Sequence, residues 1–311
     1  MQSLIQFGWM VLLALVYHAG VAADLVLQPQ RVAPEVYVIV GDLGGQSYDN
    51  EGLNSNLGFV VGTDGVLVIN AGPSVRVAHA LHAAIQKITP KPIKWVVNLN
   101  AQSHYWLGND YFRKLGIPIL AHTEASKFMH DLGAGQLQSI QSILKDKASA
   151  TVLAYPSETI DTQRVLPLGR LKIELLHFGS AHTAGDLVVW LPEQKILFAG
   201  DIVFTQRMLA VLPLGNSGGW IKAFDQAAAL KPRLIVPGHG KPTDLKTATR
   251  DTRDYLQTLR SGAQAVLAKN GSLQDAVTKT DQSKFSYLLN FDLLAKRNMN
   301  QVFTEMEHES F

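Results

Sequence analysis

The sequence predicts an α/β protein, a layered strand-and-helix domain over residues 24–242 followed by a helical tail over residues 243–311. Three observations lead there. Short β-branched runs alternate with Gly, Pro and Asp turn signals, helix-period segments interleave with those runs, and beyond Thr243 only the helical period remains.

The first strands are expected at 36–40, 57–61, 66–69, 95–97 and 117–120, each a run rich in Val, Ile or aromatic residues. Thr63-Asp64-Gly65 joins the second and third as a hairpin, because Asp-Gly accepts the positive φ of a tight turn. A helix is expected over 74–88, with Pro73-Ser74 as its start signal and Val77, Leu81 and Ile85 repeating every four residues. Further strands are expected at 171–176, 186–191, 196–199 and 234–236, with a helix near 220–230. In the tail, Leu245, Ala248, Thr252, Tyr255, Leu259, Ala263 and Val266 step by three or four, and Asn270-Gly271 ends that helix. Shorter helices follow near 272–280 and 290–307.

Composition narrows function. The 311 residues carry 28 Lys+Arg against 26 Asp+Glu, a net charge of +2, and no basic block, so nucleic acid is not an expected partner. With 47% hydrophobic and 17% charged residues the chain can pack a core. The absence of cysteine excludes disulfides, thiolate zinc sites and a cysteine nucleophile. Residues 1–23 lack charged side chains, contain an apolar run at 9–17 and end in Val21-Ala22-Ala23, which reads as a secretory signal peptide cleaved near Ala23. The protein is therefore expected in the periplasm or secreted, with no membrane span after cleavage.

Four polar residues follow or end strand-like runs, where loops gather side chains into sites. They are His104, His182 in a Gly-Ser-Ala-His-Thr-Ala-Gly-Asp stretch, Asp201 after Gly200, and His239 between Gly238 and Gly240. Taken singly, each has an ordinary structural reading. His79 and His82 sit three apart on a helix and read as solvated surface; His122, His130 and His177 have no motif around them. No Gly-x-Ser-x-Gly elbow is present, and Gly133-Ala134-Gly135 lacks the Lys of a phosphate loop. The stretch 214–219 reads as a mobile loop beside the site.

Together with Gly72, Gly108-Asn109, Thr183-Ala184-Gly185-Asp186 and Pro237-Gly238-His239-Gly240, these residues resemble the metallo-β-lactamase fold superfamily. The resemblance implies an αββα four-layer sandwich with a metal site at one edge, here carrying a C-terminal helical extension. Residues 56–62 and 291–299 resemble exported metallohydrolases associated with quinoprotein and sulfur-oxidation systems, which implies a quinoprotein-system partner. The family's His-x-His-x-Asp-His signature is altered. Asn100 and Gln102 stand where two histidines of the first metal would be, His104 stands for the aspartate and Tyr105 for the last histidine, while His182, Asp201 and His239 match.

A zinc ion wants imidazoles at about 2.0–2.1 Å, whereas carboxamides offer weak, hard oxygens, so the first site should hold zinc poorly. His104, Asp201 and His239 form a two-His, one-carboxylate set suited to one Zn²⁺ and also found at Fe(II) centres. The expectation is a metal-dependent hydrolase in which metal-activated water attacks an ester, thioester or amide-type bond of a small-molecule substrate. Asp201 and His182 would be catalytic and His182 could be a fourth ligand, with Asn100, Gln102 and Tyr105 lining the pocket. Tyr105 is expected as a hydrogen-bonding wall, since a phenol of pKa about 10 ligates zinc poorly. The alternatives are a non-hydrolytic binding protein on the same fold and redox chemistry at a single iron.

Overall fold

The computed structural model describes residues 25–309; the expected signal peptide lies outside them. A first sheet begins as an antiparallel meander of β1 (Gln30–Ala33), β2 (Val36–Ile39), β3 (Leu57–Val61) and β4 (Val66–Ile69). It continues in parallel through β5 (Ile93–Val97), β6 (Ile119–His122) and β7 (Glu158–Ile160), so seven strands lie in chain order. Helical crossovers supply the parallel connections. These are α1 (Val75–Gln86), then α2 (Ser103–Trp106) with α3 (Asn109–Lys114), then α4 (Thr123–Leu144).

The second sheet has the order β12-β11-β10-β9-β8. Its strands are β8 (Gln163–Leu168), β9 (Leu171–Leu176), β10 (Val188–Leu191), β11 (Ile196–Phe204) and β12 (Leu234–His239). Helix α5 (Ser217–Ala229) makes the crossover between the parallel pair β11 and β12. The tail adds α6 (Leu245–Ala248), a π-helical turn at Thr249–Arg253, α7 (Asp254–Leu267), α8 (Leu273–Lys279) and α9 (Phe291–Glu309).

The layers follow from which faces are apolar. Val36, Val60 and Leu67 of the first sheet meet Ile173, Val189 and Phe198 of the second in an apolar inter-sheet core. Gly58 permits that approach, for a Cβ there would lie 2.4 Å from the Phe198 ring. The outer face of the first sheet is covered by Val77, Leu81 and Ile85 of α1 and by Phe112 of α3. The outer face of the second is covered by Trp220 of α5, Tyr255 of α7, and Met299 and Phe303 of α9. This is the αββα sandwich with C-terminal helices.

Several elements differ from the sequence-based expectation. Helix α4 and strands β1, β7 and β8 were not predicted, and β11 runs five residues further than 196–199, carrying Asp201 inside a strand. The stretch 214–219 is largely a helix start, with Asn216 capping α5 by accepting from the Gly219 N–H. The long tail helix is interrupted at Thr249–Arg253 before α7 continues it.

Candidate metal centre

The centre forms where β5, β11 and β12 end beside α2. Leaving β5, the chain is held by a chain of carboxamides. Asn70, at φ +65°, accepts from the Leu99 N–H through Oδ1 (3.0 Å) and donates to Asn56 O through Nδ2 (3.2 Å). Asparagine tolerates this left-handed conformation and supplies both a donor and an acceptor, which a carboxylate could not. Asn98 donates to Tyr105 O at 3.1 Å, fixing the turn that feeds α2. Gly200, at φ +52°, precedes a register shift between β11 and β12, a bulge that aims Asp201 into the space between the sheets.

Asp201 is the hub. Tyr105 Oη donates to its Oδ1 at 2.7 Å and Asn100 Nδ2 donates to its Oδ2 at 2.9 Å. Three imidazoles surround it: His239 Nε2 lies 3.3 Å from Oδ1, His104 Nε2 3.5 Å from Oδ2 and His182 Nε2 3.8 Å from Oδ2. Burial opposes ionisation of Asp201, yet contacts with His104 and His239 hold its carboxyl well below the ordinary range. Tyr105 is pushed in the opposite direction, well above the usual phenol value, by burial and by the Asp201 charge. It is therefore a protonated donor.

His239 ends β12, its ring stacked on Phe204 at 4.7 Å, and its Nδ1 donates to Asn54 O at 2.6 Å. Burial lowers its pKa, so the ring is neutral with the proton on Nδ1. Its Nε2 then meets the Asp201 carboxylate across 3.3 Å, a contact that calls for a positive charge, a proton or a metal ion, between the two. His104 Nε2 is likewise buried without a hydrogen bond. Ligand atoms of His104, Asp201 and His239 all lie within 4.8 Å of one another. With bonds of about 2.0–2.1 Å, adjacent tetrahedral ligands sit about 3.4 Å apart, close to the two His–Asp separations. The backbone carbonyl that fixes the His239 tautomer is the partner a metal-binding histidine usually has. These three residues fit one metal ion.

The first family site does not fit. The Asn100 amide is oriented by its donation to Asp201, and its Oδ1, the one ligand atom it could offer, already accepts from the Gln102 N–H at 2.9 Å. Gln102 Oε1 lies 3.2 Å from His182 Nε2, and either orientation of that amide occupies the imidazole nitrogen. His182 packs against Trp220, and burial lowers its pKa to about 4. Asn100 also donates to Asp186 Oδ1 at 3.3 Å; burial, with Asp201 nearby, raises the Asp186 carboxyl to about 7. Hydrogen bonds among Asn100, Gln102, His182, Asp186 and Asp201 thus take up the polar groups of the altered first site.

The centre opens into a cavity of about 350 Å³. Its walls include residues that sequence reasoning missed: Gln46, Asn54, Ser103, Gln136 and Arg207. The Asn54-Ser55-Asn56 run before β3 was a visible polar signal, but nothing around Arg207 set it apart. Of the other histidines, His79 is exposed, His82 Nδ1 meets Tyr111 Oη at 2.9 Å, His122 stacks on His177 and His130 on Tyr155.

Comparison with known proteins agrees with this architecture. The model of the metallo-beta-lactamase superfamily matches residues 50–239. A Bacteroides fragilis metallo-beta-lactamase type 2 is 27% identical over 117 residues, 35% of this chain and only 47% of that protein's length. Metallo-beta-lactamase IND-1 of Chryseobacterium indologenes is 23% identical over 244 residues, 77% of this chain and 92% of the relative. A linear primary-alkylsulfatase of a Pseudomonas strain is 21% identical over 63% of this chain and 45% of its own. The solved metallo-beta-lactamase of Pontibacter korlensis superposes with a TM-score of 0.62 at 20% identity, covering 74% of this chain and 99% of that one. These relatives lend no support to a quinoprotein partner. Members of the superfamily are mostly hydrolases of small molecules that use metal ions, usually zinc. Spanning both sheets and most of the centre, the match makes this chain a member of the metallo-β-lactamase superfamily.

Proposed function

We propose that the protein is a hydrolase working at one metal ion, zinc in preference to iron, held by His104, Asp201 and His239. The observation that carries this is the convergence of ligand atoms of His104, Asp201 and His239 within 4.8 Å of one another, with His239 Nδ1 committed to Asn54 O. When bound, such an ion acidifies a water toward pKa about 7 and polarises an ester, thioester or amide-type carbonyl. The chain's own groups do the rest. Tyr105 and Asn100 hold Asp201 in one orientation and satisfy its remaining lone pairs. His182, held neutral by burial and paired with Gln102 at 3.2 Å, lies 3.8 Å from Asp201 and serves the centre as a hydrogen-bonding partner rather than as an acid. The carboxylate that family members keep at position 104 is absent, so water is oriented less well and a slower enzyme is expected. We further propose that the protein acts outside the cytoplasm after cleavage near Ala23.

A second reading, a binding protein without hydrolysis, is favoured by one observation: Asn100, Gln102 and Tyr105 satisfy much of the pocket's polarity without an ion. Elemental analysis of protein purified without added metal separates the two. The hydrolase reading expects near one equivalent, lost in His239→Ala, and a lower melting temperature in chelator, since a ligand at a hundred times its Kd adds about 2.7 kcal/mol. Metal-free protein whose melting is indifferent to zinc and chelator would overturn it in favour of the binding protein.

A further inference from the structure

Three threonines of the helical tail bond their own helix: Thr249 Oγ1 donates to Leu245 O at 2.7 Å, Thr258 Oγ1 to Asp254 O at 2.8 Å and Thr278 Oγ1 to Gln274 O at 2.7 Å. Thr252 does not. Fully buried, its hydroxyl leaves the π-helical turn, donates to Phe204 O at 2.6 Å and accepts from the Phe204 N–H at 3.0 Å. Asp251 beside it accepts from the Gln206 N–H at 3.1 Å. Consecutive residues of a regular helix diverge by about 100°, yet these two reach the same strand segment. The wider π turn, whose bonds run from i to i+5, lessens that divergence, which gives the interruption at Thr249–Arg253 a purpose.

Phe204 needs such a partner because of where it lies. β10 pairs β11 only between Ile196 and Phe198, and the β11–β12 register slips between Gly200 and Phe204. Pairing resumes where the Thr205 N–H donates to His239 O at 3.0 Å. Because adjacent residues of a strand bond toward opposite edges, the N–H and C=O of Phe204 point away from β12, to the side where β10 has already ended. One hydroxyl, donor and acceptor at once, supplies both missing partners. The Phe204 ring then forms the face on which His239 stacks, 4.7 Å away and 23° from parallel. His239 thus has two restraints on its ring, this stack and the Nδ1 hydrogen bond to Asn54 O, and the first is held from the tail.

We propose that Thr252 is a positioning residue for the metal centre, acting through Phe204 to hold the His239 imidazole at the angle that turns its Nε2 toward Asp201. The consequence for metal binding rests on the reading above; the placement of His239 does not.

Zinc titrated alone into the metal-free full chain, against a chromophoric chelator, tests the link. Thr252→Val keeps the shape and removes the hydroxyl, and is expected to raise the zinc Kd by about tenfold, the low end of the loss when a ligand's outer support goes. Thr252→Ser, which keeps the hydroxyl, should retain wild-type affinity, and so should Thr258→Val, whose hydroxyl bonds its own helix. A merely structural role lowers the melting temperature of Thr252→Val but leaves the Kd of its folded form at the wild-type value; that result overturns the proposal while the hydrolase stands. Should Thr252→Val fail to fold, Phe204→Leu keeps the backbone clamp and removes the stacked ring. It is expected to weaken zinc binding likewise, and equal binding overturns the proposal. Wild type that binds no zinc sinks the hydrolase reading instead, and the placement is then decided in metal-free protein by the proton resonance of His239 Nδ1–H. Faster solvent exchange of that proton in Thr252→Val sustains the clamp; equal exchange overturns it.

Discussion

At the scale of single residues, the candidate centre depends on close approach as much as on ligand chemistry. Gly238 precedes His239 in β12, and a Cβ there would lie 2.2 Å from Asp201 Oδ1 and 2.5 Å from Tyr105 Oη. Both side chains are fully buried and cannot retreat. Gly238→Ala should therefore break the Tyr105–Asp201 hydrogen bond, cost about 1–3 kcal/mol in urea unfolding and lower metal affinity by about tenfold or more; unchanged values for both would mean the packing is looser than described. Asp186 makes a pH prediction. Its folded-state pKa, raised to about 7, favours the protonated form, so its stabilising effect is complete below the ordinary carboxylate value and is lost as pH rises through 7. Relative to Asp186→Asn, wild type should lose on the order of 2 kcal/mol between pH 4 and 7 in urea titrations; parallel profiles would refute it. Asp201 and His239 were legible in the sequence because each stands beside glycine at a strand-like run, and His182 because it heads a Thr-Ala-Gly-Asp stretch. Arg207 and Asn54 were not, because their roles arise only when residues 41–56 fold over the end of β11.

At the scale of elements, the strands with strict apolar runs were legible and those at the sheet edges were not. β8 is an edge strand whose exposed residues include Val165 and Pro167, so neither its alternation nor its proline marked it as a strand. Helix α4 was hidden by Gly133 and Gly135, poor helix formers in the middle of its span. Gly133 is there for contact: a Cβ would lie 2.9 Å from the Trp106 ring, and α4 packs against α2 at that point. Local signals were reliable where the cap lies within the element. Ser272 accepts from the Asp275 N–H and Asp275 accepts from the Ser272 N–H, a complete capping box at the start of α8. Ser272→Ala should lower stability by about 1 kcal/mol in urea unfolding without changing metal content, a loss confined to the tail; a fall in metal content would tie α8 to the centre.

At the scale of the whole molecule, the composition shift at Thr243 marks a change of secondary structure, while the hydrophobic core runs across it. Trp190, Ile202 and Trp220 share one cluster with Tyr255, Leu259, Met299, Val302 and Phe303. Polar contacts cross the same line: Asn298 of α9 accepts from the Val211 N–H at 2.9 Å and donates to Leu209 O at 2.7 Å, and Glu305 accepts from the Ser217 N–H that begins α5. Leu289 pairs by backbone with Gln206 and Met208, the residues on either side of Arg207, so the tail braces the wall of the cavity. A chain ending at Asn290 would expose Met299's partners in α7 and leave the 209–211 backbone groups unpaired inside an apolar face. Such a chain is expected to lose both its cooperative thermal transition and its metal, whereas the full chain should unfold in one calorimetric step whose van't Hoff and calorimetric enthalpies agree. Two resolved transitions in the full chain, or a shortened chain that keeps its melting temperature and its metal, would mean that the tail is an appendage and that the cavity wall stands without it.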